Sequence, residues 1–287
     1  MKRNASRKTG LLTAGLAVYL LLVLWGSTGW FPKSWQQVPS RMPIYQYSPP
    51  SREHPLGVFF QQDLLITFVR STQASFVAGT IALLPFLALG TLLGIASGLP
   101  AGFAQALANR TIDVLNAFPR FVVLLLYTGL FAANLYHMLM LYGLISAPKL
   151  AELLRGRIDQ LRREDFIDSC VALGLPWWVI VRRHILWHHS RHLILAQTFA
   201  MFAMAIFMEA SLSYLNLGTR EHYQSWGLML NYATSVSGLS LFRFPLSAQF
   251  NLPAALPALG LLSVTLLLVS LSRYWEQQDR LKMGRMF

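Results

Sequence analysis

Residues 74–98 carry no charged side chain, and a run of that length narrows the folds open to the chain. About 20 consecutive apolar residues make an α-helix long enough to cross the hydrocarbon of a bilayer. Inside that hydrocarbon no water satisfies backbone amides, so only helices and closed barrels are stable there. Similar runs recur at about 10–29, 120–135, 137–149, 193–215 and 252–272. Together they predict an all-α, polytopic membrane protein with six transmembrane helices. Of the 287 residues, 54% are hydrophobic and only 13% charged, against about a quarter charged in a typical soluble domain.

The stretches between the runs set the expected topology. Residues 30–72 are polar and interrupted by Pro32, Pro39, Pro43, Pro49, Pro50 and Pro55, so they predict an external loop. Residues 216–250 predict a second external stretch, polar and aromatic. Ala101–Phe118, with Asn109, Arg110 and Asp113, predicts a return through the cytoplasm, and 150–192 a charged cytoplasmic segment. Gly90, Gly94 and Gly98 repeat every fourth residue in the second run and form a small-residue face suited to close helix packing. Trp30, not a small-x-small cleavage site, follows the first run, which is therefore expected to remain as the first helix.

Net charge is +12 and the isoelectric point about 10.3, values that by themselves would fit nucleic acid. The placement of the charges gives another account. Of 24 Lys and Arg, 18 fall in the segments expected inside: the first eight residues, 99–120, Lys149–Arg191 and Arg273–Arg285. That is the positive-inside pattern, with both termini cytoplasmic, and nucleic acid is not expected as a partner. Cys170 is the single cysteine, which excludes an intrachain disulfide.

The charged segment has local structure of its own. Phe166, Ile167, Cys170 and Leu173 fall at helical spacing and predict one apolar face. Glu164 and Asp165 fall in the first turn, where they complement the helix dipole. Gly174 is placed to end the helix in a left-handed conformation, and Pro176 to open another. Ser169 and Cys170 are small enough to let a second surface come close. Two readings fit these residues: an amphipathic helix lying on the membrane surface, or a docking element for another protein. Trp177 and Trp178 are equally open to a membrane-anchoring or a protein-contact role. His184, His188 and His192 at i, i+4 and i+8 predict one imidazole face, a spacing that binds zinc or nickel elsewhere. Here Arg182, Arg183 and Arg191 repel a cation, so a basic interfacial stripe and no metal site is expected.

The order Glu164-Asp165-Phe166-Ile167-Asp168-Ser169-Cys170-Val171-Ala172-Leu173-Gly174, then Ile185-Leu186, resembles the cytoplasmic coupling loop of ABC importer permeases, E-A-A-x3-G-x9-I-x-L-P. Further motifs resemble the C-type permeases of dipeptide, oligopeptide and nickel importers. These are Pro49-Pro50-Ser51-x-x-His54-Pro55-Leu56-Gly57, Asp113-Val114-Leu115-x-Ala117-Phe118-Pro119, Glu209-Ala210-Ser211-Leu212-Ser213-Tyr214-Leu215-x-Leu217-Gly218 and Ser225-Trp226-Gly227-x-Met229-Leu230. They span about 49–275 in the family's order. Three departures mark a divergent member. Asp168-Ser169-Cys170 stands for Glu-Ala-Ala. Trp187 replaces the family's Pro, so the second helix is expected to run on. Val58–Asp63 replaces Thr-Asp-x-x-Gly-Arg-Asp and is one residue shorter.

The resemblance implies a type I importer permease fold in a bacterial cytoplasmic membrane. It implies an N-terminal tail and first helix (1–29), an external loop (30–72), a permease domain (73–275) with a coupling loop at 152–192, and a cytoplasmic tail (276–287). Asp165, Phe166, Asp168, Ser169, Cys170, Leu173, Gly174 and Leu175 are the residues it implies for ATPase contact. The implied partners are a second homologous permease, one or two cytoplasmic ABC ATPases, an extracytoplasmic solute-binding protein and membrane lipid. No cofactor and no catalytic residue is expected, since no lysine follows a glycine as a P-loop requires. Di- or oligopeptides are the implied solutes, with metal chelates, cationic peptides and polyamines as alternatives; an ATP-independent secondary transporter is the alternative from another class. Glu209, in an otherwise apolar run, fits a cation contact in the pathway or a structural carboxylate bonded to Ser211, Ser213 or a partner helix. Its counterpart occurs in the family whatever the solute, which favours the structural role.

Overall fold

The computed structural model describes residues 2–36, 47–59, 61–99, 102–131, 134–217, 224–235 and 252–284. Pro39, Pro43, most of the expected external stretch 216–250, Gly218 and Arg285 lie outside the described residues. In order, the elements are α1 (Lys2–Thr28), α2 (Lys33–Gln36), an antiparallel hairpin of β1 (Val58–Phe59) and β2 (Gln62–Asp63), α3 (Leu64–Ser97), α4 (Phe103–Ala117), α5 (Arg120–Leu130), α6 (Leu135–Leu161), α7 (Asp165–Ala172), α8 (Trp177–Val179), a π-helix (Ile180–His189), α9 (Arg191–Tyr214), α10 (Trp226–Ser235) and α11 (Leu252–Met283). Against six expected spans, α1, α3, α9 and α11 are the 4 described helices long and apolar enough to cross a membrane. The pair α4–α5, bent by 77° at Phe118–Pro119, makes a fifth if it is one broken span.

Three boundaries depart from the sequence expectation. The second helix starts at Leu64, inside the stretch expected to be external loop, because Asp63 caps it. The Asp63 carboxylate accepts from the Ile66 backbone N–H at 3.0 Å, and its other oxygen lies 2.9 Å from His54 Nδ1. The expected return at 101–118 is a helix, α4, since Ala108 and Ile112 bury one side against Leu93 and Ala151. The fourth run does not stop near 149 but continues as helix through Pro148 to Leu161. Its continuation is rich in Ala, Leu, Glu and Arg, good helix formers. Leu150, Leu154, Ile158 and Leu161 give it a fully buried face.

The chain packs as two compact units: 1–79 with 132–136 and 206–268, and 80–131 with 137–205 and 269–287. In the first, the fully buried Trp226 ring meets Phe68 at 5.7 Å and Tyr19 at 6.4 Å. Phe31, Ile66 and Val69 form a smaller core beside α2. In the second, the glycine face of α3 packs against α6 as expected. A Cβ on Gly94 would lie 2.8 Å from Leu154 Cβ, and one on Gly98 2.7 Å from Ile158 Cδ1. In lipid, where apolar surface gains little from leaving its surroundings, such close contact is what holds helices together.

Candidate functional site

The charged segment folds as a small platform. α6 ends at Leu161, whose carbonyl accepts from the Glu164 N–H at 3.1 Å. Glu164 occupies the N-cap position with extended backbone, and Asp165 and Asp168 lie in the first turn of α7. Their negative charge faces the positive end of the helix dipole. At the other end, Leu175 N–H donates to the Cys170 carbonyl at 3.2 Å and Gly174 N–H to that of Val171 at 2.9 Å. This is a Schellman cap, and Gly174, at φ +74°, supplies its left-handed residue.

Below α7 is a core. Ile167 is buried with Ile158, Leu161, Ile180, Val181 and Ile185, and Phe166, Cys170 and Leu175 pack partly against it. Phe166 stacks on the His189 ring at 5.2 Å. Burial holds the His189 imidazole below its ordinary pKa, reinforced by His188, Arg157, His184 and Lys282, so the stacked ring is biased toward neutrality. Leu173 does not join this face. As the C-cap residue, at ψ 0°, it leads into the left-handed turn, and 78% of its surface is exposed. With Val171, Asp168 and Ser169 it forms an outward surface of apolar and acidic character.

Behind α7 the platform is tied to the long helices. Arg162 donates to the Gly98 carbonyl just past the end of α3, and its guanidinium lies 4.8 Å over the Trp177 ring. Arg157 pairs with Asp279 of α11, both nearly buried. The two tryptophans divide: Trp177 packs inward on Arg162, while Trp178 is exposed with Arg182 at 5.2 Å. Sequence reasoning missed Arg157, Arg162, Asp279 and Val171. Arg157 and Asp279 stand 122 residues apart, and no periodicity relates them.

The second helix of the segment runs past Trp187 as expected, but as a π-helix to His189. Its wider turn breaks the expected imidazole face. His184 and His188 lie 6.2 Å apart, His189 turns to Phe166, and His192, on α9, meets Trp275 at 5.3 Å. Among the described residues no three His, Cys, Asp or Glu side chains gather as metal ligands.

Glu209 is fully buried in α9. It accepts from Ser75 Oγ of α3 at 2.7 Å and from Ser213 Oγ at 2.8 Å. Ser211 instead donates to the Phe207 carbonyl at 2.8 Å. The carboxylate thus joins α3 and α9 within the first unit.

Residues 90–278 match the family model described as binding-protein-dependent transport system inner membrane component. The chain is 32% identical over 188 residues to the glutathione transport system permease protein of Pectobacterium atrosepticum, covering 65% of this chain and 62% of that protein. It is 30% identical over 183 residues to the dipeptide transport system permease protein of Alkalihalophilus pseudofirmus, covering 63% and 60%. With the oligopeptide transport system permease protein of Haemophilus influenzae it shares 28% over 172 residues, 59% and 54% of the two chains. The chain therefore matches less than two thirds of the length of these relatives. The family match takes in α4 to α10, the coupling-like platform and most of α11, and on it the chain belongs to the family of binding-protein-dependent transport system inner membrane components.

Proposed function

We propose that the chain is the membrane-spanning permease subunit of an ABC importer for di- or oligopeptides or related small solutes. One observation carries this reading. α7 is a short capped helix whose inner side is fixed to a core while its outer side, Asp168, Ser169, Val171 and Leu173, stays exposed. A helix on the membrane surface would point its apolar side at lipid. Here the largest apolar residues of α7, Phe166 and Ile167, face the protein instead.

In this reading α7 sits in a cleft of a cytoplasmic ATPase, with Asp165, Phe166, Asp168, Ser169, Cys170, Leu173, Gly174 and Leu175 forming or shaping the contact. ATP-driven closure of two ATPases moves the platform. Ile167 and its core carry the motion to α6, Arg162 carries it to the end of α3, and the glycine seam makes α3 and α6 move as one body. Packed helices respond to such a push by rigid displacement rather than by local yielding. A second homologous permease completes the pathway, an extracytoplasmic binding protein delivers solute, and both termini lie in the cytoplasm. The glutathione and dipeptide permeases among the relatives support a short peptide as solute.

The test is a mild-detergent pull-down of the tagged chain from its native membranes. Co-recovery of a second permease and one or two P-loop ATPases is expected. Recovery of the chain alone, still transporting after reconstitution without ATP, would sink the importer reading.

A further inference from the structure

A cavity of about 630 Å³ opens in the first unit, walled by the start of α3, the β1–β2 hairpin and α10. That volume suits a small organic solute. Its polar wall includes Gln62, Thr67, Arg70, Gln73 and Gln224. Arg70 is exposed, its guanidinium 5.5 Å over the Phe31 ring. Among the described residues it has no carboxylate and no hydrogen-bond acceptor. An adjoining space of about 280 Å³ shares Gln62, Thr67, Arg70 and Gln224 and is bordered by Asp63. Asp63 is itself buried, with one oxygen 2.9 Å from His54 Nδ1 and the other accepting from the Ile66 N–H at 3.0 Å.

The amides add to the same chemistry. Gln62 Oε1 accepts from the Gln224 amide at 3.2 Å, and the Thr67 hydroxyl, 3.2 Å from the same oxygen, donates to the Asp63 carbonyl at 2.8 Å. The Gln62 oxygen is thus engaged and its N–H donors remain. Arg70 and Gln73 stand three residues apart on α3 and so share one side of the helix. A guanidinium flanked by amide donors, with no carboxylate among the described residues that line the cavity, is a receptor for a planar carboxylate. Leu228 and Met229 provide apolar wall for the rest of a solute.

We propose that this cavity holds the carboxylate end of the solute, the C-terminal carboxylate in the case of a short peptide, with Arg70 as the anchoring cation and Gln62 and Gln73 as flanking donors. The proposal rests on the importer reading for its biological meaning, but binding is tested apart from transport. The full chain in native membrane vesicles is treated with the arginine reagent phenylglyoxal, and modification is read residue by residue by mass spectrometry. Trialanine at saturating concentration is expected to slow modification of Arg70 by about tenfold or more, while trialanine amide, which lacks the carboxylate, leaves it unchanged. Arg52, exposed and outside the cavity, serves as the control and reacts equally with either peptide present. Equal protection of Arg70 by both peptides, or by neither, overturns the proposal. ATP-dependent uptake by the assembled importer is measured separately. Protection without such uptake leaves the carboxylate site standing and removes the importer reading; uptake without selective protection does the reverse.

Discussion

Gly174 joins local conformation most directly to the proposed coupling role. Its φ of +74° closes the cap of α7, and an L-residue there costs roughly 1–2 kcal/mol. That is small against the packing of the whole chain but falls on the turn that sets where α7 ends. Gly174→Asp is therefore expected to reach the membrane at wild-type abundance, judged by immunoblot, while uptake through the assembled importer is lost. Normal uptake would remove α7 from the coupling role. Glu209 makes a different case. Removing the carboxylate in Glu209→Ala leaves the Ser75 and Ser213 hydroxyls without the acceptor they use, at a cost of about 1–3 kcal/mol. Glu209→Gln keeps one acceptor oxygen. The alanine variant should lose monodispersity in detergent at a clearly lower temperature than the glutamine variant; equal values would point away from a structural role. Both residues were legible in the sequence, because a glycine after an amphipathic octet and a carboxylate in an apolar run are local signals. The histidine stripe was not, since its reading assumed 3.6 residues per turn and the segment adopted a π-helix.

At the scale of elements, the seam between α3 and α6 carries the clearest contrast. Gly94 stands where a Cβ would meet Leu154 Cβ at 2.8 Å, whereas Gly156, exposed on α6, has nothing within 4 Å of that position. Gly94→Leu forces the helices apart, an overpacking typically worth about 1–3 kcal/mol. Gly156→Ala removes backbone freedom from the unfolded chain at no steric cost and should stabilise by about 1 kcal/mol. Thermal unfolding in detergent is expected to move in opposite directions for the two. If Gly94→Leu does not lower the unfolding temperature, the packing assigned to the seam is wrong. The four-residue glycine spacing made this seam readable in advance. The length of α6 was not readable, because Pro148 and the charges after it look like a stop, and only the partners of Leu150, Leu154 and Ile158 explain why the helix continues. The early start of α3 was hidden for a similar reason: its cap depends on His54, nine residues from Asp63.

For the whole molecule, orientation decides whether the platform can meet an ATPase at all. Arginines and lysines concentrate in the segments expected inside, and the platform carries several of them: Arg155, Arg157, Arg162 and Arg163 precede α7, and Arg182 and Arg183 follow it. The positive-inside rule places such a segment in the cytoplasm. Ser169 offers a direct reporter, since it is exposed on the outer side of α7 while Cys170 beside it is only half-buried. With Cys170→Ser removing the single native thiol, Ser169→Cys gives one reactive position. A membrane-impermeant maleimide should leave it unlabelled in intact spheroplasts and label it in inverted vesicles prepared without ATPases. Labelling from the outside would put α7 on the face where no nucleotide is available, and the permease reading would fail with it. Labelling from the inside only, combined with protection when the ATPases are restored, would locate the contact on the surface formed by Asp168, Ser169, Val171 and Leu173. The protection arm separates a cytoplasmic helix that lies on lipid from one that docks. Lipid is present in both vesicle preparations, so only a protein partner changes the labelling between them.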